Sequence, residues 1–375
     1  MRLLFSASVG IAVVASSFSL GVLTAQADES AQGIDRIESL TPEQARKLVR
    51  EFPGVAFDIE IKGVGQSRTS GCLPLNGLKS LDAETATALA GYAKGPLLLA
   101  GLTSLDAATA NALAEYGGHV LLLNGLTKID VNAAKALAQF KGRWLYLNGL
   151  TTLDADTAEA LAGAKAWDGR LREMTALDTD TAKALAEFKG LRLDLGGLTA
   201  LDSDAAKALA ECKCVVLFLD GLTSLEAEPA KALAECKVEQ LFLDGLTTVN
   251  ADTAKALAQF KGRWLFLTGL TKLDADTAKA LAAAKPWDGR LPGIVTLDSP
   301  DSVAIAEALA ARKGGLALPN LKKISPKTLT ALIKKPSVKI PPIETLELIQ
   351  EPDGSVTGDF VIPEGFQNGR QSESK

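Results

Sequence analysis

The sequence predicts an α/β solenoid, with parallel strands in one layer and short Ala-rich helices in the other. Three observations carry this. A glycine recurs at Gly77, Gly101, Gly125, Gly149, Gly197, Gly221, Gly245, Gly269 and Gly293, each gap being 24 or 48 residues, and a fixed period of this length marks a stack of repeats. The residues before each Gly alternate, as in Leu145-Tyr146-Leu147, which is the period of a strand with Leu inward. The residues after it place Ala, Leu and Ala at i, i+3 and i+4, as in Ala254, Leu257 and Ala258, which is one apolar helix face.

Composition narrows the function classes. Apolar residues make up 47% of the chain and aromatics only 5%, so the core is built from Leu, Val, Ile and Ala. The net charge is −5 and no dense run of Lys and Arg stands out. Nucleic acid and anionic lipid both reward such runs, so neither is expected as the main partner.

Residues 1–27 read as a secretory signal: Arg2, an apolar stretch from Leu3 to Leu23, then Ala25-Gln26-Ala27 as a small-x-small cleavage site. The rival reading is an uncleaved anchor; Ser16, Ser17 and Ser19 dilute the stretch against it. The mature chain is expected to be exported (periplasmic, cell surface or secreted), with no integral membrane segment after cleavage. Residues 28–72 read as an N-terminal cap covering the first edge of the core. Within it Thr41-Pro42-Glu43 opens a helix, Phe57 to Val64 alternates as a strand, and the polar stretch Gly65 to Gly71 breaks the period.

Residues 73–335 form the solenoid. In each repeat the Gly permits a tight bend, with a positive φ as one option. The helix opens on Asp82, Asp106, Asp130, Asp154, Asp178, Asp202 or Asp274, or on Glu226 or Asn250, as the acceptor that caps it. A ring or thiol ends its apolar face at Tyr92, Tyr116, Phe140, Phe188, Cys212, Cys236 and Phe260, and Gly118, Gly142, Gly190 and Gly262 follow as helix stops. A larger duplication lies on top: Gln139 to Trp144 returns as Gln259 to Trp264, and Trp167-Asp168-Gly169-Arg170-Leu171 as Trp287 to Leu291. These Trp-Asp-Gly-Arg segments interrupt the strand pattern and predict irregularity at two places. After Leu297 the period slips by about three residues, and Ser325-Pro326 opens a last helix. Residues 336–362 read as a C-terminal cap in which Ile343 to Ile349 and Val356 to Ile362 pair as strands, and 363–375 as a disordered tail.

One strand and one helix per 24 residues, with Leu inward, resembles a leucine-rich repeat. The Gly-Leu-Thr and Ala-Leu-Ala signature looks like a variant group of such repeats in secreted bacterial proteins. The inward Asn of the family consensus is missing, with Leu150 or Leu270 in that neighbourhood. The resemblance implies a right-handed leucine-rich-repeat-like solenoid, its parallel strands inside and its helices outside, that binds partners on the concave sheet face.

On that face the rungs bring Phe218, Phe242 and Phe266 into line, with Tyr146 further along and Trp264 extending the ridge. An exposed aromatic ridge marks a contact surface; rings that stabilise the sheet by stacking on one another are the alternative. Asp220 and Asp244 lie beside it on adjacent rungs, open to three readings: part of the binding face, a shared cation, or two solvated carboxylates. Cys212 and Cys236 hold one position in consecutive repeats and are the disulfide candidate, with free buried thiols as the alternative. Three nearby Cys with no suitable His make a metal site improbable. His119 is the sole His, and no nucleophile elbow or phosphate loop is present, so no catalytic residue and no cofactor is assigned. The expected function is a non-catalytic extracytoplasmic module recognising a protein or polysaccharide. A structural envelope or matrix protein is the alternative, and a glycoside hydrolase-like enzyme using Asp220 and Asp244 a distant one.

Overall fold

The computed structural model describes residues 33–61 and 65–351, with side chains from 56 to 70 left aside. The signal at 1–27, the strand at Val356 to Ile362 and the tail at 363–375 lie outside the described residues.

The first helix lying wholly within the described residues is α1 (Pro42–Glu51), opened by a capping box in which Thr41 accepts from the Gln44 N–H and Gln44 accepts from the Thr41 N–H. Strands β1 (Val55–Ile61) and β2 (Gly65–Pro74) then pair antiparallel. The stretch from Gly65 to Gly71 is therefore one arm of a hairpin, correcting the expected break. Its end runs directly into the solenoid, where Leu73 pairs in parallel with Leu97.

From there the strands stack in register at 24-residue offsets. β3 (Leu97–Leu98), β4 (Val120–Leu122) and β5 (Trp144–Tyr146) complete a five-stranded sheet with the hairpin. β6 (Arg192–Asp194), β7 (Val216–Phe218), β8 (Gln240–Phe242) and β9 (Trp264–Phe266) form a four-stranded one. Leu121 pairs with Leu145, and Leu217 with Leu241 and then Leu265. Period-2 alternation puts these Leu side chains, all fully buried, on the helix side.

Each helix packs on the next. Asp82, Asp106, Asp130, Asp154, Asp178, Asp202 and Asp274 accept N–H bonds at their helix starts, as does Asn250, while Glu226 makes no side-chain cap bond. The Ala-Leu-Ala faces close one continuous core with the strand leucines. Tyr92, Tyr116, Phe140, Phe188, Cys212, Cys236 and Phe260 are all buried in it.

The repeat glycines correct an expectation. Among the described residues positive φ occurs only at Gly54, Gly71, Gly169 and Gly289. Gly149 and Gly245 are required for close approach instead: a Cβ there would sit 1.9 Å from the carbonyl oxygens of Asn124 and Asp220. Gly142, Gly190 and Gly262 do not end helices either. They stand beyond the C-caps, where a Cβ would strike the ring two residues back.

The sheet breaks at the two Trp-Asp-Gly-Arg segments, as the sequence predicts. Leu145 bridges to Trp167 and Leu265 to Trp287, offsets of 22, whereas Arg170 bridges to Asp194 at 24. Two residues, Asp168 and Gly169, are thus looped out. The ring position falls on Ala164 and Ala284 in these repeats, and here it is the indoles of Trp167 and Trp287 that are buried in the core. Trp167 meets Phe188 edge-on at 4.9 Å. At the second break Arg312 occupies the place of Phe188, its guanidinium 4.8 Å from the Trp287 ring and bonded to the Ala284 and Gly315 carbonyls.

The slip after Leu297 appears as a register of 27, Leu297 pairing with Ile324. A helix at Pro326–Ile333, capped by Ser325, follows. Glu347–Leu348 then adds in parallel to Lys323–Ile324, so this part of the C-terminal cap extends the solenoid; its expected pairing with Val356 to Ile362 lies outside the described residues. No described helix is long and apolar enough to cross a membrane.

Candidate functional site

The sheet face turned away from the helices carries the side chains between the inward leucines. At its centre Phe218, Phe242 and Phe266 stand on adjacent rungs of β7, β8 and β9. Their rings stack face to face, with centroids 4.4 and 4.1 Å apart and planes within 17° and 11°. The ridge forms, with one correction to its exposure: Phe242, held between two rings, is only 2% exposed. The rings spend their faces on each other and turn edges outward. Trp264, two residues before Phe266, is 40% exposed with Arg263 over its ring at 5.7 Å.

Asp220 and Asp244 run beside the stack. Asp220 Oδ1 accepts from the Asp244 N–H at 3.2 Å, and Asp244 Oδ1 from the Thr268 N–H at 2.8 Å. The same bond joins Asn76 to Ala100 and Asn124 to Asn148. The residue before each repeat Gly therefore builds a side-chain-to-backbone ladder, a substitute for the absent inward Asn. The two carboxylates are thus half-buried rather than freely solvated, and no metal-binding group of acids, Cys and His occurs among the described residues. Burial and the neighbouring Asp244 push Asp220 up to about 6, and burial raises Asp244.

Tyr146 does not join the aromatic row. Arg170 and Asp194 occupy the two rungs between it and Phe218. Here sequence reasoning missed a charged node. Arg172 Nε donates to Asp194 Oδ2 at 2.7 Å, and the Asp194 carboxylate is wholly buried. Arg170 Nε lies 3.4 Å from Asp168 Oδ2, an oxygen buried without a hydrogen-bond partner. Arg192 reaches from the next rung, its guanidinium 5.9 Å from the Phe218 ring. Burial pushes Asp168 up to about 7 against the pull of Arg170, and raises Tyr146. The expectation of no basic cluster is corrected here, because the fold gathers three Arg that the sequence scatters. Their legible signal was departure from the repeat, since Arg172 stands where Asn124 and Asn148 stand elsewhere.

The cysteines correct the proposed pairing. Cys72, Cys212, Cys214 and Cys236 are free and buried. The sulfur beside Cys212 Sγ is that of Cys214, at 2.7 Å, while Cys236 Sγ turns to the Leu209 carbonyl at 3.4 Å.

No known protein-family profile matches the chain, and no curated protein matches it. Among solved structures, a crystal structure of a TLR13–ssRNA13 complex is 17% identical, covering 67% of this chain and 40% of its own, with a TM-score of 0.35. The structure of the Drosophila Toll–Spatzle complex is 12% identical over 63% of this chain and 41% of its own, with a TM-score of 0.32. The chain thus spans about two fifths of the length of these structures. Its own registered strands and stacked, capped helices make it a leucine-rich-repeat-like α/β solenoid.

Proposed function

We propose that the protein is a non-catalytic binding module, acting outside the cytoplasm, that holds a protein partner on the helix-free sheet face. The carrying observation is the Phe218–Phe242–Phe266 stack with exposed Trp264 beside it. A sheet face without a covering layer is ordinarily polar, and aromatic rings with nearby Arg are the residue types that dominate protein interfaces. Sugars pack on open ring faces, whereas this stack offers edges, which favours a protein over a polysaccharide. The leader-like residues 1–27 support export.

The stack itself favours a second reading, in which the rings only stabilise the sheet. The test is a pull-down from the surface and secreted fractions of the producing cell. The chain is compared with a Phe218→Ser, Trp264→Ser, Phe266→Ser variant after circular dichroism shows both folded. A partner held by the first and lost by the second supports recognition. Equal capture by both removes this face from the binding role, and no partner for either supports the structural reading.

A further inference from the structure

The solenoid contains its own control for the charged node. Its two Trp-Asp-Gly-Arg bulges share one backbone. Gly169 and Gly289 have φ of 74° and 76°. Leu171 N donates to Asp194 O at 2.8 Å, as Leu291 N does to Ala317 O. Asp194 N donates to Gly169 O at 2.8 Å, and Ala317 N to Gly289 O at 2.9 Å. These matched bridges align Asp194 with Ala317, Arg192 with Gly315 and Arg172 with Pro292. The second bulge therefore forms with none of the three charged residues of the first.

Burying a carboxylate without need is costly. Asp194 is wholly buried and held by Arg172, yet the fold completes the same bulge with an alanine in its place. The charges thus answer to something other than folding. Their exposure shows what. Arg172 keeps 46% and Arg170 22% of its side chain open to solvent. The buried Asp168 and Asp194 hold these two guanidinium groups at the surface. Tyr146 borders the node on one side and Phe218 on the other.

We propose that this node is the anion-recognising point of the binding face, taking the carboxylate of an acidic residue within an apolar segment of the partner protein. The inference rests on the proposed binding role of this face. A guanidinium fork matches a planar carboxylate, and the flanking rings match apolar neighbours. A polyphosphate strand fits less well, because along the same face it meets the half-buried Asp220 and Asp244 in succession.

The test uses the whole chain and two fluorescein-labelled peptides, Gly-Phe-Glu-Phe-Gly and Gly-Phe-Gln-Phe-Gly, read by fluorescence polarisation at low salt. The variant Arg172→Pro, Arg192→Gly, Asp194→Ala copies the second bulge, so its side chains suit a backbone the protein already builds. Circular dichroism confirms its fold, and Arg170→Gln is the fallback if it fails. The Glu peptide is expected to bind about tenfold more tightly than the Gln peptide, the scale of one charge-assisted pair. That preference disappears in the variant and survives Arg290→Gln at the second bulge. No preference for Glu, or a preference unchanged in the variant, overturns the proposal. Tighter binding of a single-stranded RNA dodecamer, lost in the same variant, replaces the peptide with a phosphate ligand. The Glu preference lost in the variant while the pulled-down partner is also lost supports the node. A partner retained by that variant frees the node from the binding role and leaves the proposed function standing, whereas a Glu preference with no pulled-down partner does the reverse.

Discussion

Individual side chains set a pH dependence whose sign follows from burial. Burial holds Asp168 up to about 7 and Asp220 and Asp288 up to about 6, against about 3.9 in an unfolded chain. Between these values the folded state keeps protons that the unfolded state has lost, so stability falls as pH rises from about 4 to about 7. On the other side, hydrogen bonds from Thr85, Thr109, Thr157 and Thr181 lower Asp82, Asp106, Asp154 and Asp178, and that contribution is lost as pH drops through their folded values. Thermal melts should therefore peak near pH 4–5 and decline toward pH 8, and Asp168→Asn should flatten the decline; a melting temperature that rises between pH 5 and 8 contradicts this. Glycines give a second residue-scale prediction. Gly245→Ala drives a Cβ into the Asp220 carbonyl and should cost about 3 kcal/mol in urea unfolding, whereas Gly117→Ala meets nothing within 4 Å and should be close to neutral. Which positions carry Gly is legible in the sequence. Why they do is not, because the obstructing carbonyl belongs to the neighbouring turn of the solenoid. The ladder bonds of Asp220 and Asp244 were hidden for the same reason.

At the scale of elements, helix starts are the most legible feature, since a cap needs only the residue and the N–H groups two and three positions on. The exception is informative. Glu226 sits at its N-cap with extended backbone, yet its longer side chain makes no cap bond, whereas Asp202 one repeat earlier accepts two. Glu226→Asp should restore the bond and stabilise the chain by about 1 kcal/mol, read as a shift of the urea midpoint at constant slope; no gain would mean that the helix start at Ala227 is held by packing alone. Between helices, Lys141, Lys213, Lys237 and Lys261 pair with Glu115, Glu187, Glu211 and Glu235 of the preceding repeat. All of these groups are exposed, and such pairs add little. The hairpin of β1 and β2 was half legible. Its first strand alternates, but the polar second arm reads as loop until a partner strand supplies its hydrogen bonds.

The whole molecule behaves as a one-dimensional stack in which each repeat needs only its neighbours. Its duplication gives a direct test. Deleting residues 145–264 removes 264 − 144 = 120 residues, five repeats of 24. It joins Trp144 to Leu265 across flanks that are already identical, Gln139 to Trp144 matching Gln259 to Trp264. The new strand, Trp144-Leu265-Phe266, meets β4 as Trp144-Leu145-Tyr146 does now. Asn124 Oδ1 finds the Thr268 N–H where it held that of Asn148. The core loses five layers and gains no exposed edge. The shortened chain should unfold in one transition, with a denaturant slope lower by about a third, in proportion to the surface buried. Deleting 145–276 removes half a repeat more and sets a strand against a helix. That chain should not fold, because shifting the pattern out of phase turns its inward leucines to solvent. The in-phase deletion also removes Arg170, Arg172, Arg192 and Asp194 together with Phe218 and Phe242, while sparing the second bulge. It should therefore be a folded solenoid that captures no partner. If it folds and still captures the partner, recognition lies on the repeats outside 145–264, with Trp144 and Phe266 the aromatic residues of that sheet face left to examine.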